Sequence, residues 1–186
     1  EGFGIGSSKN FYFSHMYNCI YDCRYCFLQG MYSSANYVLF VNYEDFFKAI
    51  SDTICENNNK SMTFFSGYDC DSLAFEKITG FAEKALEFFT NFSSVELELR
   101  TKSIVSDTLL NRSPISNCVV AYSLAPSNVA AILDNKAPSI DRRISVLQKL
   151  AKNGWSVGLR FDPLIYCSGW EKLYSELIHK IFNDIN

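Results

Sequence analysis

Residues 61–100 read SMTFFSGYDCDSLAFEKITGFAEKALEFFTNFSSVELELR. The first six residues, 61–66, form a short β-rich apolar run closed by Gly67. From Asp71 or Ser72 onward the pattern changes. Phe75, Ile78, Phe81, Ala82, Ala85, Leu86 and Phe89 recur at helical spacing, which predicts one amphipathic helix. Residues 95–100, VELELR, alternate with a period of two and set Val95, Leu97 and Leu99 on one side. Strand, helix and strand within forty residues is the signature of a parallel pair joined by a crossover helix.

The same alternation extends in both directions. Residues 10–16 (NFYFSHM) are aromatic and β-rich and 37–41 (YVLFV) form a short, strand-like apolar run, followed by a helix over 43–57 with Phe46, Phe47, Ile50 and Ile54 at helical spacing and Asn42 as N-cap. Downstream, residues 117–124 (NCVVAYSL) predict a strand and 139–153 a helix ended by Gly154. Residues 156–161 (SVGLRF) predict a further strand, and 170–183 a closing amphipathic helix. This pattern predicts one α/β domain over residues 1–186. Its 186 residues fall short of the roughly 250 of a closed eight-fold barrel. The opening segment lacks an initiator Met, which suits a domain cut from a longer protein.

Composition excludes several classes. Hydrophobic residues are 48% and charged residues 20%, so the chain is not disordered. A formal net charge of −3 does not advertise a nucleic-acid binder. No run of eighteen apolar residues and no signal peptide are visible, so a cytoplasmic protein without membrane contact is expected. Seven Cys are too few for a disulfide scaffold, and an odd number cannot all pair.

Three of those Cys lie close together in the stretch NCIYDCRYCFLQG, residues 18–30, at Cys19, Cys23 and Cys26. They follow the first strand in a loop, where an open α/β sheet places its chemistry. Three thiolates within eight residues can converge on one soft metal centre. Zinc ordinarily takes four protein ligands; His15, Asp22 or a distant Cys would have to supply the fourth. Three ligands with no obvious fourth point instead to an iron–sulfur cluster with one open iron.

The spacing C-x3-C-x2-C with Tyr25 before the last Cys resembles the signature of radical S-adenosylmethionine (SAM) enzymes. The chain is further similar to spore photoproduct lyase and its relatives. The similar runs are CRYCFLQ, YVLFVNYEDFFKAI, FFSGYDCDSLAFEKITGFAEKALEFF, LRTKS, APSIDRRISVLQKLAKNGWSVGLRFDPLI and GWEKLY, in order along nearly the whole chain. The resemblance implies a partial, open (β/α)6-type TIM barrel of the radical SAM kind. It also implies a [4Fe–4S] cluster on Cys19, Cys23 and Cys26, with SAM on the fourth iron. An electron from a flavodoxin or ferredoxin then gives a 5′-deoxyadenosyl radical that abstracts a hydrogen atom.

The resemblance also implies roles for other residues. Ser66 and Gly67 would admit the methionine part of the cofactor, although a plain strand-to-helix turn reads the same way. Lys102 would pair with the cofactor carboxylate, and Ser123 would hydrogen-bond ribose or carboxylate; a solvated Lys and a packed Ser are the bland readings. Tyr25 would lean on the adenine. Arg160 and Asp162 either pair or line the site. Cys55 and Cys118 read as core residues, His15 as structural and His179 as surface. Asp141, Arg142 and Arg143 read as a solvated helix face.

Two departures bear on the reaction. The lyases carry a hydrogen-donating Cys after the second strand, where this chain has Tyr68; Cys70 lies two residues on and is the candidate donor, with Cys167 a weaker one. The lyases carry Tyr after the third cluster Cys, where this chain has Phe27. The resemblance also stops before the DNA-contacting C-terminal part of the lyases. The reading is therefore a lyase-like radical SAM enzyme whose substrate, nucleic acid among the candidates, is open. The alternatives are a paralogue acting on another substrate and a non-catalytic iron–sulfur or zinc module.

Overall fold

A computed structural model describes residues 9–58 and 60–185. The opening residues 1–8, and with them the expectation about where the domain begins, lie outside the described residues. The centre is a five-stranded, wholly parallel sheet of β1 (Lys9–Phe13), β2 (Met62–Ser66), β3 (Val95–Thr101), β4 (Cys118–Ser123) and β5 (Ser156–Arg160), in that spatial order. Strands adjacent in sequence are adjacent in space, in register from Phe13↔Ser66 to Ser123↔Arg160. The longer helices among the described residues are α1 (Tyr43–Glu56), α2 (Phe81–Phe89), α3 (Ser127–Leu133), α4 (Ile140–Lys152) and α5 (Trp170–Ile185), with single turns at Leu28–Met31, Glu76–Thr79 and Asp107–Leu110.

The sheet is open, with five strands where six segments were read as strand-like. The sixth, residues 37–41, leaves the sheet. Only Val38–Leu39 pairs, antiparallel to Met16–Tyr17. Val38 and Val41 are exposed, at 44% and 75%. Leu39 is only half-buried against the core, and a run without two buried faces does not suit a central parallel strand.

One face of the sheet carries the core. Met62, Phe64, Val95, Leu97, Leu99, Cys118, Val120 and Tyr122 pack against Ile50 and Ile54 of α1, Ala85, Leu86 and Phe89 of α2, Ile144, Leu147 and Leu150 of α4, and Leu177 and Ile181 of α5. Each such buried Leu, Ile or Phe contributes about 1.5–3 kcal/mol. The opposite face carries charge. Glu98 of β3, nearly buried, pairs with Arg100 at 3.2 Å and with Arg160 of β5. Both guanidinium groups lie over the Phe65 ring, at 5.8 and 5.6 Å. Arg160 thus pairs with Glu98, while Asp162 pairs with Arg100 at 3.6 Å.

The helix expected to start at Asp71 is broken. A single turn, Glu76–Thr79, ends at Gly80 with φ +57, and α2 starts afresh at Phe81. The buried Glu76 carboxylate accepts the Ala82 and Glu83 N–H groups, at 2.8 and 3.2 Å, and so caps α2. The break turns Ile78 outward to 78% exposure. Cys55 is exposed, whereas Cys118 is buried as expected. His179 lies on the surface. Arg143 is only 1% exposed, which corrects the reading of a solvated helix face. No described helix is long and apolar enough to cross a membrane.

Candidate functional site

The strands end on one side of the sheet, and a cavity of about 370 Å³ opens there. Cys19, Cys23 and Cys26 line it from the loop after β1; Gly67 and Cys70 from the loop after β2; Lys102 after β3; Ser123 at the end of β4. Tyr25 lines it as well, with the Lys102 Nζ 5.5 Å from the centre of its ring. Of the nine residues given cluster, cofactor or first-choice donor roles, eight therefore share one cavity. The ninth, Ser66, stands behind it: its Oγ is 2.7 Å from Ser72 Oγ and donates to the Glu98 carbonyl at 3.2 Å. Cys167 does not line it; Asp162 and Pro163 of the same connection do.

Local chemistry explains the loop after β2. Gly67 has φ +76, and a Cβ there would sit 2.6 Å from Ser72 Oγ, so the turn requires glycine. Asp71 then fastens the loop. Its carboxylate accepts the Leu73 and Ala74 N–H groups at 2.9 Å each, the Thr101 hydroxyl at 2.7 Å and the Lys102 N–H at 2.7 Å. The end of β3 and the wall that bears Cys70 are thereby one unit. Asp71 is the residue that sequence reading missed, having taken it only for a helix start; its place just past a strand-ending glycine was the available signal.

Burial sets the protonation of the thiols. Desolvation pushes the Cys19 thiol up to about 12, with the Asp71 carboxylate adding to it. Desolvation also raises Cys23 to about 11, opposed by the charge of Lys102. Cys70 is raised by burial and by Asp71. A cationic centre among the thiols would reverse this, since metal ligation requires thiolates and releases their protons.

The donor set suits a polynuclear iron–sulfur centre. Among the described residues, no three His, Cys, Asp or Glu side chains gather tightly enough to hold one metal ion. The three soft thiols line one cavity, and thiolates are the ligands that hold iron–sulfur clusters.

His15 is structural. Its ring stacks on Phe81 at 3.9 Å, and its Nδ1 lies 3.8 Å from Cys70 Sγ. Burial depresses its pKa from 6.5 to about 4. A depressed His stabilises the fold fully above 6.5 and progressively less as the pH falls towards 4, a gap worth roughly 3 kcal/mol in all. Between about pH 7.5 and about pH 5 this residue alone is expected to cost about 2 kcal/mol. Urea midpoints at the two pH values check it, because His15→Gln should lose that part of the slope. An equal slope in both proteins would contradict the assignment.

Tyr68 lines the same cavity. It is 51% exposed and leans on Tyr12 and Phe27, at 5.3 and 5.5 Å. Cys70, at 9% exposure, lies deeper.

Comparison with known proteins agrees with this geometry. The family model for Spore photoproduct lyase matches residues 7–186. The spore photoproduct lyase of Geobacillus sp. (strain Y412MC61) is 26% identical over 164 residues, which is 88% of this chain and 48% of that protein. That of Bacillus subtilis (strain 168) is 25% identical over the same shares of the two proteins. A solved mutant spore photoproduct lyase with bound AdoMet and dinucleoside spore photoproduct has a TM-score of 0.87 at 24% identity, covering 93% of this chain and 51% of that one. A spore photoproduct lyase complexed with dinucleoside spore photoproduct gives 0.84 over 92% and 51%. At that identity the likeness carries the fold. The chain spans about half the length of the curated relatives it matches.

Proposed function

The chain belongs to the spore photoproduct lyase family, and from that premise we propose that it is the core of a radical SAM enzyme. The observation that carries the reading is the convergence of Cys19, Cys23, Cys26, Tyr25, Gly67, Lys102 and Ser123 on one cavity at the strand ends. The sequential, open parallel sheet reads as an incomplete (β/α) barrel of the radical SAM kind.

The three thiolates would hold a [4Fe–4S] cluster. Lys102 would meet the SAM carboxylate as a point charge. Gly67 lets backbone approach the methionine part, and Ser123 offers a hydroxyl to the ribose or carboxylate. Once held there and reduced by a flavodoxin or ferredoxin, such a cluster would supply the single electron for reductive cleavage of SAM. The protein's own contribution is to orient the cofactor and exclude water. The family and the dinucleoside held by its solved members support a nucleic-acid substrate.

Thymine-dimer repair by the lyase route needs a hydrogen donor, and Tyr68 with Phe27 removes the usual one. Cys70 would be the thiol that replaces it: its S–H would give a hydrogen atom to the substrate radical, leaving the unpaired electron on sulfur. The same two replacements favour the second reading, a paralogue with a different substrate.

The deciding experiment is anaerobic reconstitution followed by dithionite and SAM. About four iron and four sulfide per chain with release of 5′-deoxyadenosine are expected; about one zinc per chain without cofactor cleavage would sink the enzyme reading. Dinucleoside spore photoproduct is then offered. Repair that Cys70→Ala abolishes, with cofactor cleavage retained, identifies the donor. Cofactor cleavage with no repair points to the paralogue.

A further inference from the structure

The cysteine stretch is held from outside the cavity by a chain of contacts that runs into the core. Asp22–Cys23 pairs antiparallel with Asp134–Asn135, just after α3. The Arg24 N–H donates to the Leu133 carbonyl at 2.8 Å, and Asn135 Nδ2 donates to Asp22 Oδ2 at 2.9 Å. The Tyr25 hydroxyl donates to Asp134 Oδ1 at 2.5 Å. The other oxygen of Asp134 accepts from Arg143 Nη1 at 2.7 Å. Arg143, on α4, also donates from Nη1 to the Ser123 carbonyl at 3.0 Å and from Nε to the Pro138 carbonyl at 2.8 Å. The side chains of Arg143 and Asp134 are 1% and 3% exposed.

A buried ion pair is a costly way to fill a core, since apolar residues of like volume often do as well. This one has a distinct layout. Arg143 takes a position on α4 where Ile140, Ile144 and Leu147 are all core residues. It spends its donors on the end of β4 and on Asp134, and Asp134 passes the constraint to Tyr25, which stands between Cys23 and Cys26. We infer that Arg143, Asp134 and the Tyr25 hydroxyl form a brace that fixes the cysteine loop before any cluster or cofactor is present. Asp134 and Arg143 are then positioning residues, acting through Tyr25 and through the Asp22–Cys23 pairing. Partners of this kind typically govern metal affinity 10–100-fold. The role at the cluster rests on the reading of the cavity given above; the rigidity of the loop does not.

The test compares the wild-type chain with Tyr25→Phe, Asp134→Asn and the double variant. Tyr25→Phe removes one hydroxyl and leaves the buried ion pair intact, so it keeps the fold even where Asp134→Asn does not. Three quantities are read. The first is amide hydrogen exchange at Arg24 in the metal-free chain. The second is the rate at which a chelator strips iron from the anaerobically reconstituted protein. The third is the electron paramagnetic resonance spectrum of the reduced cluster. Tyr25→Phe is expected to speed exchange at Arg24 about tenfold, to speed iron loss about 10–100-fold and to shift the spectrum. The double variant should be no worse than Asp134→Asn alone, because both act through one contact. Exchange and iron loss within about twofold of wild type in Tyr25→Phe, or single effects that simply add, would overturn the brace. Should the wild-type chain take up no cluster, the cavity reading fails on its own, and exchange at Arg24 still decides whether the brace exists.

Discussion

Cys23→Ser is expected to leave a folded chain that holds no iron–sulfur cluster and cleaves SAM only at the uncatalysed background. Cys23 is the least exposed residue of the three, at 4%, and its strand pairing with Asp134–Asn135 fixes its backbone. A serine keeps the volume and the pairing but offers a hard oxygen, whose proton is harder to remove than that of a thiol already pushed up to about 11. Two thiols cannot carry a cluster that needs three protein ligands. In the proposed mechanism the cofactor and cluster supply the chemistry, so no remaining side chain would compensate. Cys55→Ser is the control: Cys55 is exposed on α1, remote from the strand ends, and should leave iron content and cleavage unchanged. Iron and sulfide analysis with 5′-deoxyadenosine quantitation reads both variants. A Cys23→Ser protein that retains iron and still cleaves the cofactor would remove the basis for the site.

What could be read in the chain beforehand depended on how local its cause was. Val95, Leu97 and Leu99 alternate along one strand, and all three are core residues of β3. The three Cys declared themselves by spacing and Tyr25 by the resemblance that they carry, and the strand ends brought Gly67, Cys70, Lys102 and Ser123 to them. The misreadings share a different cause. Residues 37–41 looked like a sheet strand because apolarity was counted without knowing whether a second buried face existed. The helix through Ile78 looked continuous because Gly80 inside a periodic run costs only about 1 kcal/mol; the decisive partner was Glu76, whose carboxylate reaches forward to cap α2. Arg143 looked solvated because it sits beside Arg142. Yet its spacing from Ile140 and Leu147 already placed it on the inward face of α4, and a charge on an inward face requires a partner. That partner, Asp134, is nine residues away and becomes visible only in three dimensions.

Asp71→Ala is expected to cost about 3–5 kcal/mol of folding stability and to weaken SAM binding at the same time. The carboxylate is 8% exposed and accepts four hydrogen bonds, from Leu73, Ala74, Thr101 and Lys102. Bonds to a charged acceptor are worth about 1.5–3 kcal/mol each. The loss is less than their sum, because water reaches part of the vacated space and Thr101 can turn its hydroxyl. Against a typical domain stability of about 5–15 kcal/mol, the change takes a large share. Asp71→Asn separates the contributions. Its amide oxygen can still accept from Leu73, Ala74 or Thr101, but its NH2 group would face the Lys102 N–H, donor against donor. The Asn variant should therefore fall between wild type and Ala in urea midpoint, with an unchanged dependence on urea. Its SAM affinity should drop nearly as far as that of the Ala variant, because the Lys102 backbone loses its anchor in both. If Asn restores cofactor affinity along with stability, Asp71 serves the loop alone. If affinity stays low while stability recovers, Asp71 is what holds Lys102 at the cavity.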